Sequence, residues 1–315
     1  MQIPCYNEAT TIGQTIREIP RQIPGIDQVE VLVIDDASQD QSAQLAEDAG
    51  ADRVVRLGQK SGLAVAFMTG VDNALDMGAD LIVNTDADNQ YPGSEIPLLL
   101  EPLLNSGADL VVGKRALSEL PGYSGSKLVL QRLGSWFVGI LAGERTEDAP
   151  SGFRAMSREA ALRMNVLGRF SYTLETLIQA GRTGMRVKWV PVHVNVQPGR
   201  RSRLYRNLSQ YLARSVEAML KTFTRYEPLR IFLALGSLVF AGGFGIGIWF
   251  LYYYFTAGGK GHVQMLILAA VLMIIGFQVG LIGLLADQIS GNRKMLEELL
   301  YRVRKLEHGG PEIKP

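Results

Sequence analysis

The sequence predicts an α/β protein, a mainly parallel sheet flanked by helices, followed by a hairpin of two membrane-crossing helices. Three observations predict it. Short, near-continuous apolar runs alternate with helix-period stretches over the first two hundred residues. Polar clusters, three of them acidic, stand where those runs end. Two long stretches near the C-terminus are almost free of charge.

The runs "VEVLVIDD" (29–36), "DRVVRL" (52–57), "ADLIVNTD" (79–86) and "ADLVVGKR" (108–115) are strand-length and apolar on both faces. A strand that does not alternate is covered on both sides, which is the mark of a parallel sheet. Only Gln2 and Ile3 separate Met1 from Pro4, so the first strand is expected to be very short, as if the chain started downstream of the usual place. Between the strands, stretches such as "SGLAVAFMTGVDNAL" (61–75) carry helical periodicity, with N-caps expected near Ser38, Ser61, Ser94 and Ser126.

From Leu229 to Phe255, beyond Arg230, and again from Val263 to Ala286, no charged residue occurs. Each run reaches the ~20 residues that cross a bilayer core. "WFLYYYF" (249–255) supplies an aromatic cluster of the interfacial kind. Cations flank the outer ends of the pair: Arg214, Lys221, Arg225 and Arg230 before it, Arg293, Lys294, Arg302, Arg304 and Lys305 after it. The joining loop "TAGGKGH" carries Lys260 alone. The bias predicts an integral membrane protein whose catalytic domain and both termini are cytoplasmic, in keeping with the absence of a signal-peptide pattern at the start. The expected organisation is a catalytic domain over 1–205, a juxtamembrane amphipathic helix over 206–228, spans over 229–255 and 263–286, and a C-terminal amphipathic helix over 288–308. In that last helix Ile289, Leu296, Leu299, Val303 and Leu306 fall near heptad spacing. Packing on the membrane, on the catalytic domain or on another subunit of a homo-oligomer fits them equally.

Composition narrows the chemistry. Lys+Arg 32 against Asp+Glu 31 gives a net charge of +1 in 315 residues, so no global field calls for nucleic acid. A single cysteine, Cys5, excludes an intramolecular disulfide framework and a cysteine-based zinc site.

Ligands of an open parallel sheet bind at the carboxyl ends of its strands. There this chain places "PCYNE" (4–8), "DDASQD" (35–40), "DADNQ" (86–90) and "GKR" (113–115). Asp86 and Asp88, one residue apart, repel each other unless something offsets their charge. A divalent cation, Mg²⁺ or Mn²⁺, explains the pair best, because both are hard ions that take carboxylate oxygens and keep positions open for phosphates. The rival is acid–base work on a glycoside, which does not account for the further acidic pocket of Glu8, Asp35 and Asp36.

These motifs, with "SGFRAMSREA" (151–160) and "SRL" (202–204), resemble in order and spacing the family 2 glycosyltransferases of the nucleotide-diphospho-sugar transferase (GT-A) fold. The closer likeness is to the dolichyl-phosphate mannose synthase and polyprenyl-phosphate glycosyltransferase branch. That resemblance implies a nucleotide-sugar pocket lined by Pro4, Tyr6 and Glu8, with Ile34 and Asp36 reaching base and ribose, and a metal held by Asp86, Asp88 and Gln90. Asp35 fits either the pocket or a hydrogen-bonded turn. Asp88, Arg115 and Asp148 are the catalytic candidates, Asp148 with a structural role as its alternative.

The acceptor follows from what is missing. Transferases that act on a sugar hydroxyl need a carboxylate base, often in an "ED" pair, and here the matching place reads Glu175 and Thr176. A phosphate monoester, with a second pKa of about 6, needs cations rather than a base. Arg115, Arg132, Arg154, Arg201, Ser202 and Arg203 stand in or beside the family motifs as its candidate partners. The "QxxRW" motif of processive synthases is absent, and Gln197 and Arg200 depart from the mannose synthase loop pattern R-x-x-G-x-S-K. The expected reaction is inverting transfer of a sugar from a nucleotide-diphospho-sugar to a dolichyl or undecaprenyl phosphate at the membrane. Transfer to a sugar or lipid hydroxyl is the alternative, and a degenerate, non-enzymatic domain is a second.

Overall fold

Apolar runs became strands, each shorter than its run, because the flanking polar residues turn the chain out of the sheet. In the computed structural model, which describes residues 1–116, 125–166, 172–195, 228–257 and 262–308, the first unit comprises Met1–Leu204 and Leu299–Pro315. Its elements run β1 (Gln2–Cys5), α1 (Ile12–Arg17), β2 (Leu32–Asp35), α2 (Ser42–Asp48), β3 (Arg53–Arg56), α3 (Leu63–Asp76) and β4 (Leu81–Asn84). A 3-10 turn (Gly93–Glu95) leads into α4 (Ile96–Asn105), then β5 (Leu110–Arg115), α5 (Gly125–Ala142), β6 (Arg154–Ser157), α6 (Arg158–Arg163), α7 (Tyr172–Arg182) and β7 (Val187–Val192).

The seven strands lie in the order β3-β2-β1-β4-β6-β5-β7. All neighbours are parallel except β6, which runs antiparallel to both β4 and β5. Neither β6 nor β7 was legible as a strand: "RAMS" is too short and polar at its ends, and "VKWVPV" contains a proline. The reversal of β6 decides where the site forms. Its first residue, Arg154, pairs with Asn84 at the end of β4, so the segment 151–153 meets the carboxyl ends of the parallel strands.

The core lies between sheet and helices, with Ile3, Val33, Val83, Val111 and Ala155 from adjacent strands and Ile12, Ile16 and Leu99 from α1 and α4. In α3 the buried residues Ala64, Phe67, Val71, Ala74 and Leu75 recur at helical spacing, which is why that helix was readable. The expected caps are placed differently. Ser38 accepts the Asn7 N–H, Ser61 donates to the Gln59 carbonyl, Ser94 sits inside the 3-10 turn, and α5 starts at Gly125; a side-chain cap is instead made by Ser157, which accepts the Ala160 N–H at 3.2 Å.

Gly93 shows how tightly the turn before α4 is seated. A β-carbon there would overlap the Glu18 carbonyl and lie 3.1 Å from the Ile19 nitrogen, both backbone atoms that cannot swing aside. Gly93→Ala is therefore expected to cost about 3 kcal/mol through overpacking. A melting temperature equal to that of the native protein would rule this out.

The end of the chain also belongs to the first unit. Tyr301, 9% exposed, donates its hydroxyl to Glu159 at 2.6 Å and carries the Arg163 guanidinium 4.0 Å above its ring. Arg304 pairs with Asp72 at 3.1 Å, His308 lies 3.0 Å from Asp76, and Arg158 donates to the His308 carbonyl. The docked face is thus the aromatic and charged one, while Leu296, Leu299, Val303 and Leu306 of the heptad pattern stay exposed.

The second unit, Tyr205–Glu298, is described through α8 (Pro228–Ala257) and α9 (Val263–Glu307), whose last residues from Leu299 belong to the first unit. Both helices are long and apolar enough to cross a membrane. Leu238, Trp249 and Phe255 are exposed on α8, as lipid-facing residues would be. The expected break after Ala286 is absent: α9 runs on through Gly291 to Glu307, a stretch that contains no proline. The juxtamembrane stretch 206–228 falls, up to residue 227, outside the described residues.

Candidate active site

The loops after β1 and β2 are knitted together before they meet the loop after β4. Asn7, in the left-handed region at φ 52°, donates its N–H to Ser38 and accepts the Gln39 N–H on its side chain. Glu8 and Ala9 donate their N–H groups to Ser42 and Asp40. Asp35 accepts the Ser38 N–H at 3.2 Å, the turn-forming role that was one of its two readings.

From this platform α1 reaches the acidic loop. Thr11 and Thr15, one helical turn apart, both donate to the carbonyl of Ala87, at 2.9 and 3.2 Å. Ala87 lies between the two aspartates, so these threonines fix the loop that carries them. Sequence reasoning missed both; threonines at i and i+4 in the first turn after "PCYNE" were the available signal.

Around that fixed carbonyl the loop alternates. Asp86, Asp88 and Gln90 are partly exposed, whereas Ala87 and Asn89 are buried. Asp88 accepts the Gln90 N–H at 3.0 Å, and Asn89 takes a positive φ of 55°. Asn195, just past β7, donates its N–H to the Gln90 carbonyl and its amide to the Asn89 carbonyl. The three expected metal ligands are therefore the partly exposed residues of one loop, at alternate positions.

Behind the loop is a buried polar layer. Asn84 donates to the Gly152 carbonyl at 2.8 Å and to the Tyr172 hydroxyl at 3.1 Å, and Gln2 donates to Asn84. Tyr172 stacks on Phe67 at 4.2 Å; burial first, and the Asp86 charge second, push its hydroxyl pKa upward, so it stays protonated. A β-carbon at Gly152 would lie 2.8 Å from that hydroxyl and 3.0 and 3.1 Å from the Asp86 carboxylate oxygens. Glycine is what lets the Asp86 carboxylate rest against the backbone of 151–153.

Among the described residues no group of three or more His, Cys, Asp or Glu gathers to cage a metal. Two carboxylates and one amide at an open edge suit an ion such as Mg²⁺ or Mn²⁺, which is commonly held by one or two carboxylates with the remaining positions left to substrate phosphates.

The residues expected to line the nucleotide pocket lie at two depths. Tyr6 and Glu8 are partly exposed beside the knitted loops, and the Lys60 ammonium, which sequence reasoning passed over, sits 3.6 Å from the centre of the Tyr6 ring. Pro4 and Ile34 are a correction: they pair across β1 and β2 and are buried within the sheet, Ile34 completely, so they support the pocket from below. Asp36 is corrected too. Its carboxylate, 4% exposed, accepts the N–H groups of Ser61 and Gly62 at 2.7 and 2.9 Å and so ties down the loop that carries Lys60.

The acceptor arginines separate into three groups. Arg115 grips Asp148 with a two-pronged fork, 2.8 and 2.9 Å, reinforced by its own N–H, and Lys114 pairs with Glu147 beside it. Asp148, 1% exposed, thus has its oxygens engaged by an arginine, the structural role that was one of its two readings. Arg154 is corrected as well. It is fully buried and donates to the carbonyls of Ser151 and Ala149 and to the Thr176 hydroxyl, and burial lowers its pKa to about 10, still charged at neutral pH. The threonine standing in the "ED" place is thus a partner of a buried arginine. Arg132 is exposed on α5, and Arg201, Ser202 and Arg203 lie outside the described residues.

Comparison with known proteins agrees with this geometry. The profile of the family described as Glycosyl transferase family 2 matches residues 2–163, and that of the GtrB C-terminal hairpin matches residues 227–291. Glycosyltransferase AglJ of Haloferax volcanii is 27% identical over 96% of both chains. Undecaprenyl-phosphate mannosyltransferase of Micrococcus luteus is 28% identical over 60% of this chain and 80% of its own, and polyprenol monophosphomannose synthase of Mycolicibacterium smegmatis 28% over 60% and 74%. Among solved structures, glucosyl-3-phosphoglycerate synthase from Mycobacterium tuberculosis in complex with Mn²⁺, UDP and phosphoglyceric acid superposes with a TM-score of 0.53 at 23% identity, over 71% of this chain and 76% of its own, a likeness of fold. With its 3-2-1-4-6-5-7 sheet, its aspartate loop and these matches, the chain belongs to the family 2 glycosyltransferases and has the GT-A fold.

Proposed function

We propose that this enzyme transfers a sugar, with inversion, from a nucleotide-diphospho-sugar to the phosphate of a polyprenol at the cytoplasmic face of a membrane. One observation carries the reading: Asp86, Asp88 and Gln90 are partly exposed at alternate positions of a loop pinned at Ala87, beyond the carboxyl end of β4. The names of the Micrococcus and Mycolicibacterium relatives, both polyprenyl-phosphate sugar transferases, support the acceptor, as does the hairpin match.

In this reading Asp86, Asp88 and Gln90 hold Mg²⁺ or Mn²⁺, and the ion supplies positive charge to the departing diphosphate. The rest belongs to the chain. Tyr6, with Lys60 above its ring, receives the nucleotide, and Glu8 lies beside it. Thr11, Thr15 and Asn195 hold the aspartate loop against the repulsion of its own charges. Arg132, Arg201, Ser202 and Arg203 position the acceptor phosphate, whose oxygen is already ionised at neutral pH and needs no base. That removes the need for a carboxylate where Thr176 stands. The cations that flank the apolar pair support a cytoplasmic catalytic domain and cytoplasmic termini.

The test is a thermal-shift panel of nucleotide sugars with and without Mn²⁺, followed by transfer assays with polyprenyl phosphate, polyprenol and diacylglycerol. Stabilisation by one donor only when metal is present, and transfer to the phosphate alone, is expected. Indifference of every nucleotide to metal removes the ion from the aspartates, and transfer to an alcohol restores the hydroxyl-acceptor reading.

A further inference from the structure

The notch at Gly152 brings together two side chains that lie far apart in the sequence. A β-carbon on that glycine would stand 2.8 Å from the Tyr172 hydroxyl and 3.0 and 3.1 Å from the two Asp86 carboxylate oxygens. Asp86 is an expected ligand of the ion, whereas Tyr172 opens α7 and belongs to none of the motifs. Yet Tyr172 is held as firmly as any residue of the site. Its ring lies flat on Phe67 of α3, with 4.2 Å between centres and 20° between planes, and 1% of the residue is exposed. Its hydroxyl accepts the Asn84 amide at 3.1 Å, and Asn84 is fixed in turn by Gln2 and by its bond to the Gly152 carbonyl. A phenol hydroxyl has a proton to give as well as lone pairs to accept with. The Gly152 carbonyl lies 3.5 Å from it, at the outer limit of a hydrogen bond, so the proton is weakly committed there. A carboxylate is the stronger acceptor, and Asp86 stands at the same notch.

We infer that Tyr172 is a positioning residue for the ion site: its hydroxyl, fixed by Asn84 and by the stack on Phe67, orients the Asp86 carboxylate toward a divalent cation. The inference rests on the reading of Asp86, Asp88 and Gln90 as metal ligands and adds a residue to it. A carboxylate that turns one oxygen to a cation keeps its orientation only when a donor behind it holds the group, and such donors set affinity as well as geometry. A phenol suits that place because it is neutral. A lysine or arginine would hold the carboxylate too, but its positive charge would repel the ion. Arg154, whose guanidinium lies 5.9 Å from the centre of the Tyr172 ring, has its donors committed to Ser151, Ala149 and Thr176.

The probe is Mn²⁺ alone, titrated into the full chain in detergent micelles and followed by the sharp paramagnetic resonance of the free aqueous ion, which broadens away on binding. The native protein, Tyr172→Phe and Asp86→Ala are compared. Phenylalanine keeps the ring and its stack and removes the hydroxyl, so the melting temperature should fall by a few degrees at most. The Mn²⁺ dissociation constant should rise about 10- to 100-fold, and Asp86→Ala should raise it further. A structural role alone would move the melting temperature and leave the constant where it was. A Tyr172→Phe constant equal to the native one therefore overturns the inference while the metal reading stands. Native and Asp86→Ala constants that agree take the ion off this loop, and the inference falls together with that reading. If Tyr172→Phe does not fold, Phe67→Leu takes its place: the hydroxyl stays but the flat contact that fixes its ring is lost, and an unchanged constant overturns the inference in the same way.

Discussion

Asp88→Ala is expected to lower sugar transfer by about 10³-fold while leaving the melting temperature of the unliganded protein within a degree or two. The magnitude follows from the several kcal/mol that an ion contributes to a departing diphosphate, at 1.36 kcal/mol per decade of rate. The stability expectation follows from the structure: the Asp88 side chain is partly exposed and accepts the Gln90 N–H of its own loop, whereas the loop is held chiefly through Ala87 by Thr11 and Thr15. The Mn²⁺-dependent part of donor stabilisation should vanish with it. A variant that keeps full turnover, or that binds donor with undiminished dependence on metal, takes Asp88 out of the ion site.

Arg154→Leu is expected to act in the opposite way, through the fold, at a cost of about 3 to 5 kcal/mol, the range for breaking a buried charged network. Leucine would leave the carbonyls of Ala149 and Ser151 and the Thr176 hydroxyl without their donor in a site closed to water. At roughly 2 to 4 °C per kcal/mol for a domain of this size, the melting temperature should fall by about 10 °C. Arg154→Lys separates this role from the one the motif implied. Lysine keeps the charge but not the fork, so the loss of stability should persist; an unchanged melting temperature with a raised KM for acceptor would return Arg154 to the phosphate.

The strands and helices were legible where one physical period dominates: continuous apolar runs for β2 to β5, helical spacing for α3, uncharged length for the apolar helices α8 and α9. The acidic loop after β4 was legible because two carboxylates one residue apart demand an explanation. Partners are what a linear pattern does not display. Asp36, Asp148 and Arg154 have the residue types of a binding site, and only the loop at Ser61, the end of β5 at Arg115 and the reversed strand β6 reveal that each is already engaged. Conversely, Thr11, Thr15 and Tyr172 look unremarkable in sequence, because their roles depend on a carbonyl and a glycine far along the chain.

The return of residues 299–308 to the catalytic unit gives that unit two covalent straps to the apolar helix pair, one leaving at Leu204 and one arriving at Leu299. Tyr301, Arg304 and His308 therefore meet Glu159, Asp72 and Asp76 as parts of one chain, at an effective concentration that the covalent connection sets and without the entropy loss of a bimolecular encounter. Tyr301→Ala with Arg304→Ala should free the segment, and the backbone amides of residues 299–308 should then exchange hydrogen faster than in the native chain.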